Sequence, residues 1–265
     1  DSMHASELVG MFLLASSFST LILHALVLSA VFVERKRVAA NAFYTIYMAG
    51  CFADILSLIN GVFTYCSLTG FLQAHLLYSN IVVHLDKLIV WGARFSQMLT
   101  VLMIATNRVT AIRYPLKHLS IWNNVTQRIC SFIQITSIFV VGGAFVAFLR
   151  PIAVPSSFGG IVVGFDLSEE QLNGQFLFGI ILQSTNGLLV LLLYSLIIRK
   201  IRSEMRQTSG NSASRHESSL HKVALIVCIV ERDTSTIIYI VRTVIYSSIP
   251  PYLLLFFSDS VRKRV

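Results

Sequence analysis

The sequence has little charge for its length. Only 13% of its 265 residues are Asp, Glu, Lys or Arg, about half the share in an ordinary soluble domain. Hydrophobic residues make up 55% of the chain, and the mean hydropathy is +0.72. This composition excludes a soluble globular protein and predicts a protein that has the lipid bilayer as its solvent and partner.

Motifs for catalysis and nucleic-acid binding are also missing. The sequence contains no nucleotide-binding loop, zinc-ligand spacing or nucleophile constellation, and its seven His residues are scattered. The net charge of +8 comes from 21 Lys and Arg residues that lie in short clusters between apolar runs, not in one basic domain. We therefore expect no enzyme activity, no cofactor and no nucleic-acid partner.

Five apolar runs are long enough to cross a membrane as helices. A helix rises about 1.5 Å per residue, so about 20 residues cover the ~30 Å hydrocarbon core. The runs are continuous, whereas a membrane β-strand alternates apolar and polar residues over about ten positions. The predicted spans are 8–33, 42–68, 88–112, 129–149 and 175–198.

The basic residues are distributed unequally between the two sides of such a bundle. With the N-terminus outside, 16 of the 21 Lys and Arg fall in inner segments, and only Lys87, Arg150 and Arg232 fall in outer ones. This asymmetry follows the positive-inside rule. It predicts a multi-pass plasma-membrane protein with its N-terminus outside, its C-terminus in the cytoplasm and an odd number of spans.

The last part of the chain has too little apolar sequence for two complete spans. An inner loop at 199–222, expected to be mobile or to extend the fifth span, is followed by eight apolar residues at 223–230, which give about 12 Å of helix. Charged residues follow at 231–233, and the run at 234–257 can cross once. Either a deletion or mis-joined exon near Val230 shortens the sixth span, or the chain crosses six times and breaks the charge rule. The first is favoured, which predicts one all-α bundle over 1–265 with six full spans and an incomplete sixth helix.

The inner end of the third span carries the most distinctive motif. Residues 106–118 read TNRVTAIRYPLKH, and Ile121-Trp122 follows shortly after. This stretch resembles the helix-three signature of seven-transmembrane G-protein-coupled receptors, in the form found in nematode serpentine chemoreceptors of the class gamma and class V type. Weaker similarities lie at Ala42-Phe43-Tyr44, Gly159-Gly160 and Pro251-Tyr252-Leu253-Leu254. The resemblance covers nearly the whole chain and implies a seven-transmembrane receptor fold.

By this resemblance, Arg108 is the switch between inactive and G-protein-engaging states, in a motif with Asn107, Tyr114 and Pro115. Asn107 occupies the position of the acidic neighbour found in many rhodopsin-like receptors, so no adjacent carboxylate locks the arginine. From its position alone, Arg108 can equally be an anchor at the inner headgroups. Asp54, near the centre of the second span, is by resemblance an intramembrane coupling site that holds Na⁺. The alternative is a protonated carboxyl that is hydrogen-bonded within the bundle.

A candidate ligand site lies in the outer half of the third span. Trp91, Arg94 and Met98 share one helix face there, at the level where receptors of this fold bind ligands. A cation beside an indole and a thioether can recognise a small acidic or amphipathic molecule. The alternative is an arginine that reaches the outer headgroups beside an aromatic belt. The other candidates are polar residues within apolar runs: Gln183, Asn186, Tyr239 and Arg242.

The cysteines do not match the resemblance. Rhodopsin-like receptors tie the outer start of the third helix to the second outer loop by a disulfide, but no cysteine lies in either place, since the loop at 150–174 has none. Cys51 and Cys66 are about 22 Å apart along one helix and cannot pair with each other.

The resemblance implies a chemosensory receptor that detects a small environmental or pheromone-like molecule and signals to a heterotrimeric G protein, with a receptor dimer as a further partner. Two alternatives come from other classes. A shortened sixth span predicts a non-signalling product, because signalling needs that helix to move. The intramembrane charges Asp54, Arg94 and Arg242 suggest a small transporter or channel, although the internal repeats of many transporters are not found.

Overall fold

The computed structural model describes residues 2–33, 42–70, 79–155 and 160–208. The predicted spans at 223–230 and 234–257, with Tyr239 and Arg242, lie outside the described residues. The described elements are the helices α1 (Ser2–Val33), α2 (Ala42–Leu68), α3 (Asn80–Arg113), α4 (Pro115–Ile121), α5 (Asn124–Phe148) and α6 (Glu169–Thr208), and the strands β1 (Pro151–Pro155) and β2 (Ile161–Phe165).

Five of these helices, α1, α2, α3, α5 and α6, are long and apolar enough to cross a membrane. The prediction of a polytopic membrane helix bundle is therefore confirmed, although the described part also contains one β-hairpin, which the all-α prediction did not include. We call the end of the bundle that carries α4 the α4 end, and the opposite end, which carries the β1–β2 hairpin, the hairpin end.

Several helices are longer than the apolar runs predicted from the sequence, because polar residues at their ends also belong to the helix. The helix α2 has the bounds predicted for the second span, but α3 begins at Asn80 instead of 88, because the helix continues through the charged pair Asp86-Lys87 that ends the apolar run. The helix α1 likewise begins at Ser2 instead of 8. The helix α6 runs from Glu169 to Thr208 instead of 175–198, so the first part of the predicted 199–222 loop continues the helix.

Polar capping also moves the start of α5 to Asn124 from the predicted 129. The Asn123 side chain accepts a hydrogen bond from the Thr126 backbone N–H over 2.9 Å, which satisfies a donor that the first helical turn leaves free. The short helix α4 begins with Pro115 in its first turn, where a missing backbone N–H has no cost. Sequence analysis did not predict α4 as a helix.

The helix α3 lies at the centre of the described bundle and packs against α2, α5 and α6. Two glycines allow α3 and α5 to approach closely. A Cβ at Gly92 would collide with the Ile138 carbonyl, and a Cβ at Gly142 would collide with the Leu88 carbonyl. Because lipid provides little hydrophobic drive between helices, such small residues at interfaces favour their association by close packing.

The segment predicted as the second outer loop contains an antiparallel hairpin. Strands β1 and β2 pair in a register that runs from Pro151 opposite Phe165 to Pro155 opposite Ile161. Ile161 and Val163 are buried, and the hairpin contacts α2 and α3. It therefore covers one end of the bundle directly beside the first turns of α3.

Candidate functional site

At the α4 end, the Arg108 side chain of α3 contacts an aromatic ring of α2. The Arg108 residue is exposed overall, but its guanidinium carbon lies 4.6 Å from the centroid of the Phe43 ring at the start of α2. Arg108 of α3 thus contacts α2 through a cation–π interaction. Phe43 was not predicted as a partner from the sequence.

Asn107, the neighbour of Arg108, faces the protein interior. It is 3% exposed, and its Nδ2 group has no hydrogen-bond partner within the described segments. A buried amide donor without a partner costs free energy.

The chain between α3 and α5 is held by a buried tryptophan. The Trp122 indole Nε1 donates to Thr110 Oγ1 over 2.7 Å, and the Trp122 carbonyl accepts from Gln127 Nε2 over 2.7 Å. Gln127 Oε1 in turn accepts from Thr45 Oγ1 of α2 over 3.0 Å. Tyr114 lies at the break between α3 and α4. These bonds connect the Arg108 motif to α2, α4 and α5.

In the middle of the bundle, Asp54 of α2 is paired with a residue of α3. Asp54 is 5% exposed and Gln97 is 3% exposed. The Gln97 amide Nε2 donates to Asp54 Oδ1 over 2.8 Å. This geometry agrees with the alternative of a carboxyl that is hydrogen-bonded within the bundle.

A second buried polar chain links α2, α3 and α5. Gln134 Nε2 donates to Thr100 Oγ1 over 2.8 Å and to the Ile46 carbonyl over 3.3 Å. Ser96 Oγ donates to the Gln134 carbonyl over 2.8 Å. Sequence analysis missed both Gln97 and Gln134, although a glutamine within an apolar run is a signal that could have found them.

The residues at Asp54 do not fit a cation. Hard cations are held by several oxygen atoms, whereas the atom that faces Asp54 Oδ1 is an amide N–H donor. Within the described segments no group of three or more His, Cys, Asp or Glu side chains could hold a metal ion.

In the hairpin half of the bundle, Trp91 lies in an aromatic stack. Its ring is parallel to that of Phe145 in α5, at 4.1 Å between centroids and 4° between planes. Phe145 also contacts Phe178 of α6, at 6.1 Å. Met98 is buried and Arg94 is half-buried on the same helix. Trp91 thus lies where α3, α5 and α6 meet.

The two candidates on α6 differ in burial. Gln183 is half-buried, whereas Asn186 is 5% exposed. The Asn186 Oδ1 atom has no hydrogen-bond partner among the residues that the structure describes. Asn186 is therefore a buried acceptor on the helix that borders the Trp91 stack.

A charged cluster under the hairpin was not predicted from the sequence. Asp86 is 4% exposed, and its Oδ1 accepts from Asn60 Nδ2 over 3.2 Å and from Thr64 Oγ1 over 3.3 Å. Lys87 Nζ lies 3.5 Å from Asp86 Oδ2. The sequence placed Asp86 and Lys87 in an outer segment, whereas both belong to α3.

The five described membrane-length helices, with α3 at their centre and the TNRVTAIRYPLKH motif at its α4 end, form a receptor-like helical membrane bundle. The family model "Serpentine type 7TM GPCR chemoreceptor Srv" matches residues 13–232. The chain therefore belongs to the Srv family of nematode chemoreceptors, and the resemblance found from the motif is confirmed. No curated protein matches the sequence.

Proposed function

We propose that the chain is a G-protein-coupled chemosensory receptor that detects a small environmental or pheromone-like molecule and signals to a heterotrimeric G protein at the plasma membrane. The observation that carries the proposal is the position of Arg108 at the α4 end of the central helix, in contact with Phe43 of α2. Family membership supports the chemosensory role.

Arg108 is proposed as the switch because its contacts are exchangeable. A cation–π contact of an exposed arginine is worth about 0.5–1 kcal/mol, so a G-protein segment that offers acceptors can replace Phe43. Asn107, which is buried beside Arg108, is proposed as part of the same switch, with Tyr114 and Pro115 fixing the turn into α4. The bonds of Trp122 support this role, because they hold α4 in place while Arg108 changes partners.

The ligand is proposed to bind in the hairpin half, between α3 and α6. Trp91, Arg94 and Met98 would contribute an aromatic ring, a cation and a thioether, and Gln183 and Asn186 would contribute amides. The buried Asn186 Oδ1 supports this assignment, because a ligand donor there would offset its desolvation. Tyr239 and Arg242 would complete the site from the last span. A small acidic or amphipathic molecule fits these groups best.

Orientation and assembly complete the proposal. The excess of Lys and Arg on one side supports an external N-terminus and a cytoplasmic C-terminus. The α4 end, with Arg108, then faces the cytoplasm and the hairpin faces outward. A receptor dimer, with an intact relative or a second copy, is proposed as a further assembly.

The second candidate is a receptor product that reaches the membrane without signalling. It is favoured by the short apolar run at 223–230 and by the family match, which ends at 232, inside the charged segment 231–233. A chain with tags at both termini distinguishes the two candidates. An external N-tag with an internal C-tag supports the odd number of spans, whereas two external tags support the non-signalling product.

Signalling is then tested by Arg108→Ala, with Arg113→Ala as the matched control. Both arginines are exposed near the α4 end of α3, but Arg108 stacks on Phe43. The receptor is expressed with a G protein that reports through calcium and is screened with small acidic and amphipathic molecules. At equal surface expression we expect Arg108→Ala to lose most of the response and Arg113→Ala to keep it. Equal responses from both variants contradict the proposed switch.

A further inference from the structure

We propose that the Gln97 amide takes the place of a cation beside Asp54, so that Gln97 positions this buried carboxyl and makes the bundle insensitive to sodium. This insensitivity is a property of the stability of the bundle and does not depend on ligand binding or G-protein coupling. The hydrogen bond between the two side chains and the packing around them support the proposal.

The hydrogen bond has the geometry of a direct and well-formed contact. The distance of 2.8 Å between Gln97 Nε2 and Asp54 Oδ1 lies within the usual range for an N–H···O bond. In this bond the Gln97 amide N–H group donates and Asp54 Oδ1 accepts. The positive end of the amide dipole therefore occupies the side of Oδ1 from which a cation would approach, and it repels a cation that enters there.

Among the described residues, α2 and α3 pack closely on both sides of the pair. Gly50 lies one helical turn before Asp54, and a Cβ there would collide with the side chain of Thr100, about one turn beyond Gln97. On the other side, Ala53 and Ala93 form a buried apolar cluster with Ile138. The α2–α3 interface is therefore closely packed directly next to the carboxyl–amide pair.

The hydrogen-bond donor of Gln97 affects the stability of the whole bundle. A buried carboxyl needs a partner, and here the partner is part of the chain and always present. When Gln97 is removed, the carboxyl loses this donor and a space opens beside it. A monovalent cation that enters this space becomes a stabilising ligand, because it binds the folded state and not the unfolded one.

The test is thermal unfolding of the purified full chain in lipid nanodiscs, at equal concentrations of NaCl, KCl and choline chloride. We expect the wild-type Tm to be the same in all three salts. For Gln97→Ala we expect a lower Tm in choline chloride and a rise of about 2 °C or more in NaCl relative to choline chloride. Adding Asp54→Asn to Gln97→Ala should abolish the rise.

Gln134→Ala is the matched control, because Gln134 is also a buried glutamine but bonds Thr100 and the Ile46 carbonyl. It should lower the Tm equally in every salt. If Gln97→Ala does not fold, Gln97→Ser replaces it, since it keeps a hydroxyl in the smaller side chain. A wild-type Tm that rises in NaCl over choline chloride overturns the proposal, and so does a Gln97 variant whose Tm is the same in every salt.

Discussion

Lys87 of α3 lies under Phe165 of β2, with its Nζ atom 5.6 Å from the ring centroid. Its other contact is Asp86 Oδ2 at 3.5 Å, so the ammonium group lies between a carboxylate and an aromatic ring. Cys51, Cys66 and Cys130 are free thiols in the described part of the chain. Here the hairpin is held to α3 by a cation–π contact, at the place where the resemblance to rhodopsin-like receptors would predict a disulfide.

The first prediction concerns the cation–π contact between Lys87 and Phe165. Lys87→Met keeps much of the aliphatic length but removes the charge, so the hairpin should open more often. A cation–π contact of about 0.5–1 kcal/mol corresponds to amide exchange about two- to fivefold faster in β1 and β2. Hydrogen exchange measured by mass spectrometry checks this. Lys87→Arg, which retains a cation, should exchange like the wild type, and unchanged exchange in Lys87→Met would show that Phe165 is held by other contacts.

Asp86 provides the second prediction. Asp86→Ala removes the acceptor of Asn60 and Thr64 and leaves one buried and one half-buried donor unpaired, which should destabilise the bundle by about 1–3 kcal/mol. Thermal unfolding in nanodiscs measures the loss as a lower Tm. The exposed Asp166 gives the control, since Asp166→Ala should change the Tm little. A Tm for Asp86→Ala equal to that of Asp166→Ala would mean that the buried cluster contributes nothing to stability.

Asp86 and Lys87 also show which parts of the fold could be predicted from the sequence and which could not. The five membrane helices were predictable because apolar runs of about 20 residues have few other stable structures. The start of α3 was not, because Asp86 and Lys87 read as a solvated loop until Asn60, Thr64 and Phe165 are brought near them. Pairing across 20 or more positions is a tertiary property that a single sequence does not display.

The same distinction holds for the candidate site. The motif around Arg108 was recognisable because it is contiguous, and family membership supports it. The partner of Asp54 was not predictable, because Gln97 lies on another helix and its register against α2 depends on close packing at Gly50 and Thr100. The hairpin was missed because short strands in a loop have weak patterns of their own.

The third prediction concerns the bond between Trp122 and Thr110. Trp122→Phe keeps an aromatic ring but removes the indole donor, and Thr110→Val removes the acceptor. Each variant should lose about 1 kcal/mol of stability. Because the two groups bond each other, the double variant should lose less stability than the sum of the losses in the two single variants. A double-mutant cycle of Tm-derived free energies of unfolding measures this difference. Strictly additive losses would show that the bond is not formed in the membrane.

The last prediction tests the close approach of α3 and α5. Gly92→Ala introduces a methyl group that collides with the backbone carbonyl of Ile138, whereas a Cβ at Gly143 has nothing within 4 Å. A backbone carbonyl in a helix cannot rotate aside as a side chain can, so the two helices must separate. Overpacking of this kind costs about 1–3 kcal/mol, and Gly92→Ala should lower the Tm in nanodiscs by roughly 2–10 °C.

Gly143→Ala is the matched control for this prediction, because it adds the same methyl group to a helix at the same interface region without a collision. It should leave the Tm unchanged or raise it slightly, since alanine restricts the unfolded chain more than glycine does. The same substitution should therefore lower the stability at Gly92 but not at Gly143. A Gly92→Ala variant as stable as Gly143→Ala would mean that α3 and α5 are farther apart than the contact at Ile138 requires, and the register that brings Trp91 onto Phe145 would then have to be revised.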